Sequence, residues 1–179
     1  MATILPFGGK SPRIHPSAFL APTAVIIGDV EIGAESSIWF GAVLRGDDPD
    51  HPIIVGPRTS VQDNCVVHVG GWAPTVIGED VTVGHGAKFE SCTIGDRTVV
   101  GMNAVILQNA RIGEECLLAA NTVVLEGAEI GPRSVVAGVP GVVKKTLEGS
   151  AADWIAGGGS HYVALSREYL EHGIGEVES

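Results

Sequence analysis

The sequence of 179 residues contains few aromatic and few basic side chains. Aromatic residues make up 5% of it, and 11 Lys and Arg stand against 21 Asp and Glu, a formal net charge of −10. Nucleic acids and anionic membrane surfaces are bound through clustered Lys and Arg, so this charge argues against both as partners. With so few large rings, the composition also argues against a core packed around aromatic side chains.

Cysteine and long apolar runs are scarce as well. The three Cys include no CxxC pair, which does not suit a disulfide framework. No stretch approaches the roughly 18 consecutive apolar residues of a membrane-spanning helix. Residues 1–10 lack the basic segment and long apolar run of a signal peptide. We therefore expect a soluble, cytoplasmic protein.

What the sequence does contain is Gly, numbering 25, and a hydrophobic fraction of 45% supplied mainly by small and branched aliphatic residues. These residues follow a six-residue repeat, in which an apolar residue is preceded two positions earlier by a small one. The six-residue spacing is interrupted three times: five extra residues stand before Val55, four extra residues stand before Ile77, and the step to Ile94 is one residue short. The apolar series comprises Leu20, Ile26, Ile32, Ile38, Leu44, Val55, Val61, Val67, Ile77, Val83, Phe89, Ile94, Val100, Ile106, Ile112, Leu118, Val124, Ile130 and Val136.

The repeat predicts an all-β solenoid. Residues i and i+2 of a strand face the same side, so the small and the large member of each pair both point inward. A Gly that often follows the large residue is expected to permit a sharp corner. Three six-residue sides close a triangular coil of eighteen residues, and coils stack about 4.8 Å apart through parallel pairing. Such hexapeptide repeats resemble the left-handed parallel β-helix, and this resemblance supplies the handedness. We assign residues 1–140 to this domain.

Residues 141–179 are expected to form a C-terminal helical extension that packs on the solenoid. A weak helical pattern covers the region of Ala151 and Trp154, and a clearer α-helix follows. Ser160 is its expected N-cap and Gly173 its expected stop. One face of this helix carries three large side chains, Tyr162, Leu165 and Tyr169.

Outward positions next to the core residues carry the candidate chemistry. His68 follows inward Val67 and Glu90 follows inward Phe89, and their separation of twenty-two residues equals one coil plus the four-residue insertion. The two side chains are therefore predicted to lie one coil apart on the same outer face. His85 precedes Glu90 by five residues, or roughly 15 Å of extended strand, too far to join them within one chain. A neighbouring chain in a threefold assembly would bring its own His85 to this face.

Three segments carry a specific resemblance. The segments 38–47 (IWFGAVLRGD), 61–68 (VQDNCVVH) and 83–87 (VGHGA) look like those of the γ-class carbonic anhydrases and their close relatives. The resemblance extends from about residue 12 to residue 140 of this sequence.

In that family, three His bind zinc across a trimer interface, two from one subunit and one from the next. The resemblance places these ligands at His68, His85 and position 90. It implies that Arg45 and Asp47 organise the interface. Gln62 and Asp63 match a Gln and an Asp of the family, of which the Gln orients water on the metal.

The sequence departs from the family at the third ligand, where Glu90 replaces the usual His. Glu90 can ligate the metal, lie at the interface of a trimer that has lost its metal, or favour a harder ion than zinc. CO₂ hydration by zinc requires bound water with a pKa of about 7. An anionic ligand is expected to raise that pKa, so we expect weak or absent carbonic anhydrase activity.

Three functions therefore compete. The first is a homotrimeric, zinc-binding relative of the γ-carbonic anhydrases that acts on CO₂ and bicarbonate, with Arg45, Asp47, Gln62 and Asp63 in the site. The second is a non-catalytic trimeric scaffold without a metal. The third is a hexapeptide acyltransferase that uses an acyl-coenzyme A donor, which requires a groove open to a long thiol cofactor.

Overall fold

The chain forms a parallel β-solenoid with three flat faces, followed by a C-terminal α-helix, in a computed structural model that describes residues 1–149, 155 and 158–175. Face 1 consists of β1 (Thr3–Leu5), β4 (Val25–Gly28), β7 (Val43–Gly46), β10 (Val66–His68), β13 (Lys88–Glu90), β16 (Val105–Ile106) and β19 (Val123–Val124). Face 2 consists of β2 (Arg13–Ile14), β5 (Val30–Ile32), β8 (Ile53–Val55), β11 (Thr75–Ile77), β14 (Thr93–Ile94), β17 (Arg111–Ile112) and β20 (Glu129–Ile130). Face 3 consists of β3 (Phe19–Leu20), β6 (Ser37–Ile38), β9 (Ser60–Val61), β12 (Thr82–Val83), β15 (Val99–Val100), β18 (Leu117–Leu118), β21 (Ser134–Ala137) and β22 (Val142–Thr146).

The chain visits the three faces in turn, and every strand from β1 to β21 pairs in parallel with the strands of adjacent coils on the same face. Val83, for example, lies beside Val61 of the preceding coil and Val100 of the following one. About seven such coils make up the solenoid, and the fold is the left-handed β-helix of hexapeptide repeats that the sequence predicts. Its three longest excursions all leave the corner between faces 1 and 2, at residues 6–12, 47–52 and 69–74.

The core is the column of inward side chains predicted from the repeat. Every residue of the predicted apolar series is buried except Ile130, which is half-buried near the end of the solenoid. The three cysteines occupy small inward positions and are buried as free thiols, as expected. Most inward hydroxyls hydrogen-bond locally, as Thr59 Oγ1 does to the carbonyl of Gly78 at 2.7 Å, whereas Thr122 Oγ1 is buried with no partner among the described residues. The six-residue repeat therefore predicts correctly which side chains point into the core.

The glycines that follow the large inward residues serve a different purpose from the one predicted. Gly101 does not itself have a positive φ, and the left-handed residue of its corner is Asn103, with a φ of 56°. A Cβ atom at Gly101 would lie 2.5 Å from the backbone nitrogen of Ala120 in the next coil. Glycine is required there because the stacked backbone leaves no room for a side chain, whereas Gly131 in the last coil has open space at the same position.

A strand that the sequence pattern does not predict follows the last coil. Strand β22 pairs antiparallel with β21, with a register shift between Val135 and Val136, and it extends face 3 at its edge. The adjacent Leu147 is 1% exposed and packs with Val99 and Ile155. The helical pattern expected around Ala151 and Trp154 falls outside the described residues.

The C-terminal helix, α1, spans Gly158–Glu171. Ser160 lies inside its first turn, so the prediction that Ser160 caps the helix is wrong. The predicted stop is confirmed, because Gly173 has a φ of 71° and the amides of Gly173 and Ile174 bond back to Leu170 and Tyr169. Among the residues that the structure describes, no helix is long and apolar enough to cross a membrane.

The predicted face of α1 packs on face 3 of the solenoid. Its tyrosines form an aromatic cluster with Trp39, whose ring centroid lies 5.1 Å from that of Tyr169 and 6.4 Å from that of Tyr162. Phe19 completes the cluster at 5.0 Å from Trp39. Part of the small aromatic content of the chain is thus used to attach this helix beside the corner between faces 3 and 1.

Candidate metal centre

His68 and Glu90 lie side by side on the outside of face 1. Strands β10 and β13 pair so that His68 is opposite Glu90, and His68 Nδ1 is 2.9 Å from Glu90 Oε1. The register predicted across the excursion at residues 69–74 is therefore confirmed. Both side chains are only partly exposed, at 22% and 30%.

The excursion is fastened to the coil that carries Glu90. The amide of Gly70 donates a hydrogen bond of 2.9 Å to Ser91 Oγ, which in turn donates one of 3.2 Å to the Gly70 carbonyl. Thr75 Oγ1 donates a hydrogen bond of 2.6 Å to the carbonyl of His68. These bonds hold the backbone of His68 and Glu90 in place on both sides of the insertion.

Arg45 and Asp47 extend the same cluster by one coil. Arg45 lies opposite His68 in the register of β7 and β10, and its guanidinium forms an ion pair with Asp47. Asp47 Oδ1 is 3.0 Å from His68 Nε2. Burial raises the pKa of Asp47, but its hydrogen bonds with His68 and Arg45 lower that pKa more, so it ends below its ordinary value. Asp47 is thus an anion that holds one side of the imidazole.

Gln108 completes the cluster on its other side and was missed in the sequence. Its Nε2 donates a hydrogen bond of 2.8 Å to Glu90 Oε2. Gln108 follows Glu90 by eighteen residues, but the skipped residue makes this coil seventeen residues long and places Leu107 opposite Glu90, so counting alone does not bring Gln108 to the carboxylate. The polar chain now runs from Arg45 through Asp47, His68 and Glu90 to Gln108, and we call it the face 1 cluster.

His85 and Asp63 form a separate pair at the corner between faces 3 and 1. His85 follows β12 and Asp63 lies one coil earlier in the same corner, with His85 Nδ1 2.8 Å from Asp63 Oδ2. The His85 side chain is 49% exposed. Among the described residues no three His, Cys, Asp or Glu side chains are placed to hold one metal ion. One chain therefore keeps His85 apart from His68 and Glu90, as the spacing predicts.

Gln62 lies in the same corner and is 4% exposed. Together with His85, His161 and Tyr162, it lines two adjoining cavities between the solenoid and α1. The larger has a volume of about 750 Å³ and is mainly apolar, and the smaller has about 290 Å³. Tyr162 both packs in the aromatic cluster and borders these cavities.

Comparisons with known proteins agree with this architecture. Residues 74–108 match the model of the bacterial transferase hexapeptide (six repeats), and residues 109–139 match that of the hexapeptide repeat of succinyl-transferase. A relative named "Probable carbonic anhydrase" from Methanocaldococcus jannaschii is 49% identical over 158 residues, which cover 88% of this chain and 98% of the relative. The chain belongs to the γ-carbonic anhydrase-like family of hexapeptide-repeat proteins.

Other members of the broader group share the fold or part of the sequence. The mitochondrial γ-carbonic anhydrase 1 of Arabidopsis thaliana is 46% identical over 111 residues, which cover 59% of this chain but 40% of that relative's length. The crystal structure of a hexapeptide transferase family protein from Anaplasma phagocytophilum matches with a TM-score of 0.88 and 38% identity, over 93% of this chain and 98% of that one.

The donor atoms of this γ-carbonic anhydrase-like chain suit a divalent metal. His68 and Glu90 provide an imidazole and a carboxylate in contact, and His85 provides a second imidazole. Two His and one carboxylate form a ligand set that zinc accepts. The carboxylate of Asp63 on Nδ1 of His85 is the partner that metal-bound imidazoles usually have on their second nitrogen.

Proposed function

We propose that three copies of this chain assemble with a divalent metal, zinc in the first instance, at each subunit boundary. In this arrangement His68 and Glu90 of one subunit and His85 of the next bind the metal. The observation that carries the proposal is the separation of two half-sites in one chain, the His68–Glu90 pair on face 1 and the His85–Asp63 pair at the corner. Each half lacks donors that the other provides.

The outer surface of face 1 supports assembly. Its outward positions are mainly apolar, whereas those of face 2 include Arg13, Glu31, Thr93, Arg111 and Glu129. Val66 is 39% exposed and Leu125 is 51% exposed. A second copy covering this surface would bury apolar area next to His68 and Glu90. The apolar outward residues of face 1 are Val25, Ile27, Val43, Val66, Val105, Leu107, Val123 and Leu125.

We propose CO₂ and bicarbonate as substrates. A divalent metal at such a site lowers the pKa of water and supplies the Lewis acid for its addition to CO₂. Asp63 holds Nδ1 of His85 and leaves Nε2 for the metal, and Asp47 and Arg45 fix the orientation of His68. Gln62, buried beside His85, is placed to orient water. Because Glu90 brings a negative charge where the family has a neutral imidazole, the activity is expected to be weak.

An experiment on mixed trimers tests the shared site. His68→Ala and His85→Ala variants each remove a ligand from every site, so each alone is expected to bind little zinc. Refolding an equal mixture of the two restores intact sites only where the subunits alternate correctly, about one quarter of boundaries for random assembly around a heterologous ring. Zinc near one quarter of the wild-type content confirms the shared site.

No recovery of zinc in mixed trimers would overturn the shared site. A wild-type trimer purified without chelator or nickel affinity that contains no metal would favour the non-catalytic scaffold instead. Stopped-flow CO₂ hydration on the zinc-loaded protein then tests the substrate.

A second candidate function, acyl transfer from an acyl-coenzyme A donor, is favoured by the larger cavity. Its volume of about 750 Å³ far exceeds the needs of CO₂ and lies within the roughly 300–1,000 Å³ of sites for larger organic ligands. The His85–Asp63 pair beside it has the arrangement of a general base and its orienting carboxylate. Calorimetric binding of acetyl-coenzyme A, lost in a Met102→Trp variant that fills the cavity, would support this function.

A further inference from the structure

The two carboxylates that flank His68 are held in parallel ways. Asp47 presents Oδ1 to His68 Nε2 while its Oδ2 is paired with Arg45. Glu90 presents Oε1 to His68 Nδ1 while its Oε2 accepts a hydrogen bond of 2.8 Å from Gln108. Each carboxylate thus has one oxygen directed at the imidazole and the other bonded to a second donor, which lies in the same coil for Asp47 and in the next coil for Glu90.

We propose that Gln108 is a positioning residue that makes Glu90 a ligand through one oxygen. The inference rests on the proposed metal site and identifies the residue that adapts this site to a carboxylate in place of an imidazole. A free carboxylate can bind a metal through one oxygen or through both. With Oε2 accepting a hydrogen bond from the amide of Gln108, Oε1 is the oxygen that faces His68, and binding through both oxygens would compete with that hydrogen bond.

The coordination number follows from this restriction. Two imidazoles and one carboxylate oxygen leave one position of a four-coordinate zinc site for water. A carboxylate that binds through both oxygens takes up that position or expands the coordination shell. The amide hydrogen bond also draws charge from Glu90, which brings the carboxylate closer to the neutral imidazole that it replaces.

The backbone around Gln108 is fixed by the solenoid. The amide of Leu107 donates to the carbonyl of Val124 at 3.1 Å, and the amide of Gly127 donates to the carbonyl of Gln108 at 2.9 Å. Gln108 is itself half-buried. Its side chain therefore reaches Glu90 from a rigid position one coil away, as a positioning residue requires.

Cobalt spectroscopy tests the proposal without reference to activity. Co²⁺ absorbs visible light more strongly in four-coordinate than in higher-coordinate sites, so the absorption reports how Glu90 binds. In Gln108→Leu we expect a weaker cobalt absorption than in the wild type. We also expect a zinc affinity lower by about tenfold to a hundredfold, the usual effect of removing a partner of a metal ligand. Glu126→Leu, at the corresponding position one coil further along, is the matched control and should retain wild-type values.

The same measurements in a Glu90→His background show whether Gln108 acts through Glu90. There Gln108→Leu should leave the cobalt spectrum unchanged, because no carboxylate remains to be positioned. An unchanged spectrum on replacing Gln108 in the wild-type chain would overturn the inference, as would an equal change in both backgrounds. Failure of the wild type to bind cobalt or zinc would instead overturn the proposed metal site, so the two failures are distinguishable.

Discussion

Asp63 Oδ2 lies 2.8 Å from Nδ1 of His85, and this contact decides which nitrogen of the imidazole faces outward. A carboxylate only accepts hydrogen bonds, so the proton of a neutral His85 is on Nδ1. Nε2 is then left with a lone pair at the corner between faces 3 and 1. In the proposed trimer, this lone pair would be available to a metal held by a neighbouring chain.

Removing the Asp63 carboxylate should weaken metal binding. We expect Asp63→Leu to lower zinc affinity by about tenfold to a hundredfold, because His85 loses both its tautomer and its orientation. Asp63→Asn keeps an acceptor oxygen and should lose less. Competition with a chromophoric chelator measures both affinities. Equal zinc affinity in Asp63→Leu and the wild type, in trimers of the same mass, would refute this role.

Restoring the usual third His should increase carbonic anhydrase activity. Where the pH is below the pKa of bound water, each unit by which that pKa falls raises its ionised fraction about tenfold. We therefore expect Glu90→His to hydrate CO₂ several-fold faster than the wild type at roughly pH 7.5 by stopped-flow, and the ratio to approach about tenfold per unit of pKa difference at lower pH. The zinc content of both proteins must be measured and matched. Equal rates per bound zinc would show that Glu90 does not weaken the reaction.

A charge on the apolar surface of face 1 should prevent assembly. Val66 is exposed in a single chain and lies between Val43 and Lys88 on adjacent strands. In a trimer, Val66→Asp would bury a carboxylate in the apolar surface, and the adjacent Lys88 would offset its desolvation only in part, so sedimentation should give a mass near the 18.5 kDa of one chain. Thr93→Asp, at an outward position on face 2, is the control and should remain trimeric. A trimeric Val66→Asp would place the interface on another surface.

Two glycines at the same place in the repeat should differ in their tolerance of a methyl group. A Cβ at Gly101 would lie 2.5 Å from the nitrogen of Ala120, whereas one at Gly131 meets nothing within 4 Å. We expect Gly101→Ala to lower the free energy of unfolding by about 1–3 kcal/mol and Gly131→Ala to change it by less than about 0.5 kcal/mol. Chemical denaturation measures both. Similar losses in the two variants would contradict the stacking explanation.

The buried thiols should make stability fall at alkaline pH. Burial raises the pKa of Cys65 to about 11 and that of Cys92 to about 12, whereas an unfolded Cys titrates near 8.5. Their contribution is fully present below about pH 8.5 and is lost as the pH rises towards the folded values, because only the unfolded chain releases these protons.

Denaturant unfolding between about pH 7 and pH 10 measures this loss, which amounts to about 1.4 kcal/mol per thiol for each pH unit above 8.5. The Cys92→Ala variant isolates one thiol from other groups that titrate in this range, and its stability should fall less steeply with pH. If the stability of both proteins fell equally steeply with pH, burial would not be keeping the Cys92 thiol protonated in the folded chain.

Periodicity predicts most of this fold because each coil repeats the same physical problem. The small and large inward residues, the stacking of His68 on Glu90 and the separation of His85 all follow from counting in sixes. The repeat does not predict strand β22, because this strand turns back antiparallel after the last coil, where the six-residue pattern has ended. The repeat also does not show why glycine is required at Gly101, because the contact that excludes a side chain there is made with the next coil and cannot be read from the neighbouring residues.

Within the candidate site, resemblance and register contribute different residues. The family motifs single out Arg45, Asp47, Gln62 and Asp63, whose contacts no spacing rule supplies. Gln108 is found by neither route, since the seventeen-residue coil places Leu107 opposite Glu90 and the family motifs do not mark Gln108. Side-chain direction was the missing information, because a coil position says which residues are neighbours and not which atoms meet.

The excursions at residues 47–52 and 69–74 leave the solenoid at the corner between faces 1 and 2, one before and one after the strand that carries His68. The inward phase resumes unchanged after each of them, so loops at this corner can lengthen or shorten without moving a single core side chain. The mouth of the candidate site can therefore be remodelled while Asp47, buried Val69 and the Gly70–Ser91 hydrogen bonds are kept, and grafted loops at residues 48–52 and 71–74 offer a direct way to give the same half-site a new specificity.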